Sequence, residues 1–280
     1  MLLAAGRFIR SAVVTLTPRR LRRWLAQGRL AALLILAVVL GIRALDPPPV
    51  QLLFMRSFDL LQELFPRAAE EQPVVIVDID DESLAAIGQW PWPRTIIAAL
   101  VDRLSELGAA VIGFDVLFAE PDRTSPAKIA ALYPNLDAPT REGLARLPSN
   151  DDVLAASLRR SQRVVLAATG KEREIAGAAP AAVKAPVARL GGDPDRYLRR
   201  FPGVIRAIPQ LDEAAAGQGM ITIDPELDNV VRRVPLILNV QGQLFPALAF
   251  DMLRVLTGQS VAVRSDAAGV ADLLVAESSM

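Results

Sequence analysis

Apolar residues change period repeatedly along this chain, and the sharpest change falls at residues 74–118. Val74-Val75-Ile76-Val77 is a short β-branched run of the kind that forms a buried strand. Ser83 to Ile87 reads as one helical turn closed by Gly88. Trp90-Pro91-Trp92-Pro93-Arg94 is a stiff bend, because proline fixes φ and has no N–H to give a strand or a helix interior. A helix can start from such a bend. Thr95 to Leu107 then carries Ile96, Ile97, Leu100, Val101, Leu104 and Leu107 at spacings of one, three and four, and Gly108 stops it. Ala110 to Phe118 reads as a second strand. A crossover of this length predicts parallel strands joined with a right-handed turn.

The same reading extends in both directions. Upstream, Leu30 to Ile42 is an uncharged run, and residues 50–65 give a helix with a broad apolar face that ends at Pro66. Downstream, the proline-rich residues 119–149 predict a loop with at most a short helix near Ala127 to Leu132. Asn150-Asp151-Asp152 is a helix start, since carboxylates suit a helix N-terminus, and that helix runs to about Ser161. Val164 to Ala168 is a third strand. Residues 171–208 lack periodicity and read as loop with one short helix. A helix at 209–216 follows, then strands at Met220–Ile223 and Val230–Val240 joined by the turn 224–229. A helix at 246–256 and strands near 261–263 and 273–275 complete the pattern. The fold class expected is α/β: a three-layer domain with a parallel β-α-β core and a C-terminal antiparallel hairpin, preceded by an N-terminal transmembrane helix.

Charge changes the picture at the N-terminus. Residues 1–45 hold eight arginines and no acid, which leaves 23 Lys+Arg against 31 Asp+Glu in the remainder of the 280 residues. The arginines precede the apolar run. Extended from Trp24 to Leu45, that run is long enough to span a bilayer, with Trp24 and the two flanking arginines, Arg29 and Arg43, near its ends. The positive-inside rule places the N-terminus in the cytoplasm and everything after residue 45 outside. A cleaved signal peptide is the competing reading. Its best cleavage pair, Val39-x-Gly41, is poor. The division expected is a cytoplasmic basic segment at 1–23, a signal-anchor helix at 24–45 and an extracytoplasmic domain at 46–280. Nucleic-acid binding would want aromatics or a known motif among the arginines, and the arm offers only Phe8 and Trp24. The arm suits anionic lipid better, making the membrane the first partner.

The absence of cysteine and histidine excludes disulfides, thiol catalysis, serine–histidine triads and typical zinc sites. Any metal would be held by oxygens, as a divalent cation such as Mg²⁺ or Ca²⁺. The oxygens are at hand. Asp78, Asp80 and Asp81 follow the first strand, and Asp115 lies on the second. The predicted parallel pairing brings Asp78, Asp80 and Asp115 to the carboxyl edge of the sheet, where ligands of α/β folds bind. The plainer reading is that Asp80 or Asp81 caps the turn at 82–87. Trp90 and Trp92 can stack on a ligand or cover a core edge. Arg94 sits at a helix start, where its charge opposes the helix dipole. It therefore calls for a specific partner: an aspartate, in a structural salt bridge, or an anionic ligand. Ligand candidates are thus Asp78, Asp80, Asp81, Trp90, Trp92, Arg94 and Asp115. No catalytic residue is assigned. A metal-dependent hydrolase at the acidic edge, or a ligand-free envelope assembly module, are the readings from other classes.

D-I-D-D-E-S-L, then G-Q-W-P-W-P-R, then G-A-A-V-I-G-F-D-V-L-F-A-E-P-D resembles the CHASE2 extracellular sensory domain of bacterial receptors. L-A-A-S-L before V-V-L-A, D-P-E-L-D-N-V-V-R-R-V-P-L, and F-P-A-L-A-F are similar to later family segments in the same order. The resemblance covers about residues 45–280. It implies a sensor anchored in the bacterial inner membrane, with a small ligand or a periplasmic protein as its stimulus and a homodimer as its working form. Family members usually continue into three more membrane spans and a cytoplasmic output such as an adenylate or guanylate cyclase, a kinase or a diguanylate cyclase/phosphodiesterase. The present sequence is expected to be the N-terminal part of such a receptor.

Overall fold

The computed structural model describes residues 18–66, 74–175, 183–223 and 225–276. The basic arm as far as residue 17, Asp224 of the predicted turn and residues 176–182 of the span without periodicity lie outside the described residues, as does the Trp24 side chain. The chain divides into two compact units, Met1–Val75 with Leu227–Val230, and Ile76–Glu226 with Val231–Met280.

The first unit contains two helices, α1 (Pro18–Leu45) and α2 (Pro48–Leu64). Gly28–Leu45 in α1 is long and apolar enough to cross a membrane. Asp46-Pro47 separates the helices. Asp46 has φ 40, and the Gln51 side chain donates to the Asp46 carbonyl at 2.7 Å, pinning the break. Pro48 opens α2, at the position where a missing N–H costs nothing.

The second unit carries, in order, α3 (Asp81–Ile87), α4 (Arg94–Glu106), β1 (Ile112–Phe114), α5 (Pro126–Leu132), α6 (Ala138–Arg146), α7 (Asn150–Ser161), β2 (Val164–Lys171), β3 (Ala188–Gly191), β4 (Arg200–Phe201), β5 (Gly203–Ile205), α8 (Pro209–Ala214), β6 (Gly217–Met220), β7 (Ile237–Val240), β8 (Gln243–Pro246), α9 (Leu248–Thr257), β9 (Ser260–Ser265) and β10 (Val270–Ala276). This is a mixed α/β fold with three small sheets. In the first sheet, β2 pairs in parallel with β1 and β6, and its far end turns antiparallel against β5. β4–β7–β8 and β3–β9–β10 form the other two.

Side chains alternate across β2. Val164 and Leu166 join a core of Trp92, Ile97, Val101, Leu154, Leu158 and Leu211, drawn from α4, α7 and α8 and the bend before them. Val165 faces the other way, and its register partners are Gly113 on β1 and Gly217 on β6. A Cβ on Gly113 would overlap Met252, and one on Gly217 would overlap the Asp251 carboxylate. α9 therefore lies close over this face because two of the three residues beneath it lack side chains.

Four sequence expectations need correction. Val74–Val77 forms no strand: its side chains are 55–87% exposed, and residues 74–80 belong to no sheet. β-branched composition indicates readiness to pair but supplies no partner edge. The parallel connections are instead β1–α7–β2 and β2–α8–β6. The strand expected over 110–118 shrinks to Ile112–Phe114. The strand expected over 230–240 begins only at Ile237, after Pro235, and the 220–223 strand moves to 217–220. These two do not pair with each other. β7 makes its hairpin with β8, and β9 makes another with β10.

Candidate functional site

The helix start at Arg94 is built by its neighbours in space. Pro93, at the N-cap position, has no side-chain acceptor for the exposed N–H groups of α4. Asp122 supplies one, accepting from the Arg94 backbone N at 2.7 Å. The same carboxylate accepts from the Asn150 side chain at 2.9 Å and from Thr124 N and Oγ1 at 2.7 Å each. The Asp122 N–H in turn donates to Asp151 at 2.9 Å, in the first turn of α7. Two helix N-termini thus converge on one buried aspartate, each favouring negative charge.

Arg94 closes this network. Its guanidinium lies 4.4 Å over the Phe118 ring, and Nε stands 3.7 Å from Asp151 Oδ1. Both of those atoms are buried without a hydrogen bond. Burial pushes the Arg94 pKa down, and Asp151 and Asp122 oppose that shift. Burial pushes the Asp122 carboxyl up, but the hydrogen bonds from Arg94, Thr124 and Asn150 outweigh it and hold the group below the ordinary carboxylate range.

The structure brings only some of the predicted residues together. Asp80 caps α3, accepting from Ser83 N at 2.8 Å and Ser83 Oγ at 2.7 Å, and these bonds lower its pKa. Asp78, Asp81 and Asp115 are exposed. Among the described residues no group of three or more acidic side chains is placed to hold a metal ion. Trp92 is buried in the core and donates to the Gly88 carbonyl at 2.7 Å. Trp90 is half-buried and packs edge-on against it at 5.6 Å. Sequence reasoning passed over Asp122, Thr124, Asn150 and Asp151. Glu120-Pro121-Asp122 read as a strand exit and Asn150-Asp151-Asp152 as a cap. Nothing local marks two such acids as partners of Arg94.

A second polar network lies at the start of β6. Asp251 accepts from Gln218 N at 2.8 Å and from Arg254, whose other arm reaches the Ala216 carbonyl at 3.1 Å. The Gln218 side chain donates to Asp212 at 2.9 Å, and Arg206 reaches Asp212 at 3.4 Å. Burial raises the Asp212 pKa, with Arg206 and Lys184 opposing. Gln218 Oε1 is buried without a partner. Farther along the chain, an open depression of about 500 Å³ is lined by Gly192, Asp193, Arg196, Tyr197, Asp266 and Ala267. The Tyr197 hydroxyl donates to the Ala267 carbonyl at 2.9 Å across it.

With this geometry in view, comparison with protein-family models gives one match, to the CHASE2 domain over residues 32–277. The chain belongs to the CHASE2 family. The match starts inside the apolar helix α1 and runs through β10, so it takes in both units. CHASE2 is an extracellular sensory domain, and no catalytic domain is found in the chain. Comparison with curated proteins and with solved structures finds no match.

Proposed function

We propose that this chain is the extracytoplasmic input module of a bacterial membrane receptor. α1 anchors it, with the basic N-terminus in the cytoplasm. The domain from residue 46 onward binds a small ligand or a periplasmic protein and relays that state to a cytoplasmic nucleotide cyclase or kinase. The working form is a homodimer. The observation that carries this reading is the CHASE2 match, which begins within a helix apolar enough to span a membrane. A stimulus acts by binding two conformations with different affinity, since equal affinity shifts nothing.

The solvent-facing members of the candidate set, Asp78, Asp81, Asp115 and the half-buried Trp90, are the ligand contacts in this reading. Asp80, Trp92 and Arg94 hold the elements around them. The test has two parts. Single cysteines placed after residue 46 should react with a membrane-impermeant maleimide in whole cells. Thermal unfolding of the purified chain is then followed against divalent cations and small metabolites, because a ligand of the folded state raises stability by RT ln(1 + [L]/Kd). A metabolite shift lost in Asp115→Asn supports a small-molecule sensor. A shift with Mg²⁺, Ca²⁺ or Mn²⁺ lost in Asp78→Asn or Asp115→Asn moves the reading to a cation at the acidic edge. No shift with any compound leaves protein contact as the stimulus and removes these residues from the site.

A further inference from the structure

α2 presents an unusual surface. Val50, Leu53, Ser57, Leu60 and Leu64 follow spacings of three and four, the repeat that lines one side of a helix packed against another helix. None of the residues of α2 is buried, and Leu53, Leu60 and Leu64 are 68%, 53% and 60% exposed. Gln51, Met55 and Asp59 are half-buried, and they lie on the opposite side of the helix. The chain's own contacts thus use the polar back of α2 and leave its apolar front open.

We propose that this front is where two copies of the chain pair, α2 against α2 in parallel. Four observations select a second copy as the occupant. The 3–4 spacing is that of a helix–helix seam. Both copies enter the membrane through the same α1 and leave it in the same direction, so a parallel arrangement needs no adjustment. The charge of α2 disfavours a lipid surface: interfacial helices carry Lys and Arg on the polar face, whereas α2 sets one Arg56 against Asp59 and Glu63. The one polar residue in the seam, Ser57, already donates its hydroxyl to the Leu53 carbonyl at 2.8 Å, so covering it orphans no donor. The pairing deepens the sensor reading by giving the proposed homodimer a surface directly beyond the membrane helix. It depends on that reading only for the parallel direction.

The chain has no cysteine, which makes cross-linking clean. Leu53→Cys, Ser57→Cys, Leu60→Cys, Met55→Cys and Gln62→Cys are each made in the full chain in native membranes and oxidised with copper-phenanthroline. Disulfide-linked dimer should be about fivefold more abundant at 53, 57 and 60 than at 55 and 62, following the seam. Equal dimer at all five positions, or a maximum at 55 and 62, overturns the proposal. So does protection of 53, 57 and 60 from aqueous maleimide without dimer, which would mean that lipid or the chain's own body covers the face. The pattern is read without any ligand. Failure to find a stimulus and failure of the seam are therefore separate results.

Discussion

Arg94 donates its backbone N–H to the Asp122 carboxylate at 2.7 Å, across 28 positions of sequence. The bond does at long range what an N-cap side chain does locally. α4 begins after Pro93, which has nothing to offer its open N–H groups. A loop residue therefore caps it, and the same residue holds Asn150 at the head of α7. Two helices that flank one core are tied at their starts by a single acid.

Asp122→Ala should consequently be among the costlier single changes in the domain. It leaves the Arg94 N–H, the Asn150 amide and the Thr124 groups without their acceptor in a buried place. The expected loss is about 3 kcal/mol, against roughly 1–2 kcal/mol for Asp122→Asn, which keeps the shape and one acceptor oxygen. Urea unfolding of both variants in detergent measures the difference. Equal and small losses would show that water substitutes for the carboxylate.

The same group gives an acid-side pH dependence. Its folded pKa lies below the ordinary 3.8, so between those two values the unfolded chain binds more protons than the folded one. Its contribution is complete above about pH 4 and falls away as pH drops through the folded pKa. Stability of the wild type relative to Asp122→Asn should therefore shrink as pH is lowered from 5 toward 3, followed by thermal unfolding.

Much of this was legible in the sequence, and the rest was hidden for a physical reason. Helix periodicity and caps placed α4, α7 and α9 within two residues of their observed bounds, because amphipathic helices are locally specified. A strand requires a partner. Val74–Val77 had the right composition and no ladder, while the short β3, β4, β5 and β8 went unread. The candidate residues divide in the same way. Capping by Asp80 is a matter of three residues and could be read. The sequence showed that Arg94 needs a partner, but Asp122 and Asp151 reach it only through the fold.

Asp212 should behave in the opposite way to Asp122. Burial raises its pKa more than Arg206 and Lys184 lower it, so the folded state holds the proton above the ordinary 3.8. The stability it contributes is fully present below that value and is lost as pH rises through the folded pKa. Asp212→Asn removes the titration and keeps an acceptor for Gln218. The variant should gain on the wild type as pH rises from 4 to 7, measured by paired urea titrations. A constant difference would place the charge in adequate contact with its cations.

The two indoles of the bend should separate on truncation. Trp92 is 6% exposed and loses both packing and its bond to Gly88 when cut to alanine, a cost of about 3–5 kcal/mol. Trp90 is half-buried, and Trp90→Ala should cost only about 1 kcal/mol. A folded Trp90→Ala chain is then usable in the ligand screen, where loss of a thermal shift would assign the ring to binding.

The glycines under α9 offer the sharpest steric test, because they differ in what lies above them. On Gly113 a new methyl meets the thioether of Met252, a flexible side chain that can move aside. On Gly219 it meets the Cα and N of Leu248, the first residue of α9, so the helix itself must shift. Gly219→Ala should cost about 1–3 kcal/mol, the usual price of overpacking a close contact, and Gly113→Ala less than about 1 kcal/mol. Met252→Ala should rescue Gly113→Ala and leave Gly219→Ala unrelieved, because only the first clash is with a side chain. Thermal unfolding of the two single and two double variants reads that coupling directly. Rescue of both glycine variants would mean that α9 can slide over the sheet as a body, and that β1 and β6 do not fix its height separately.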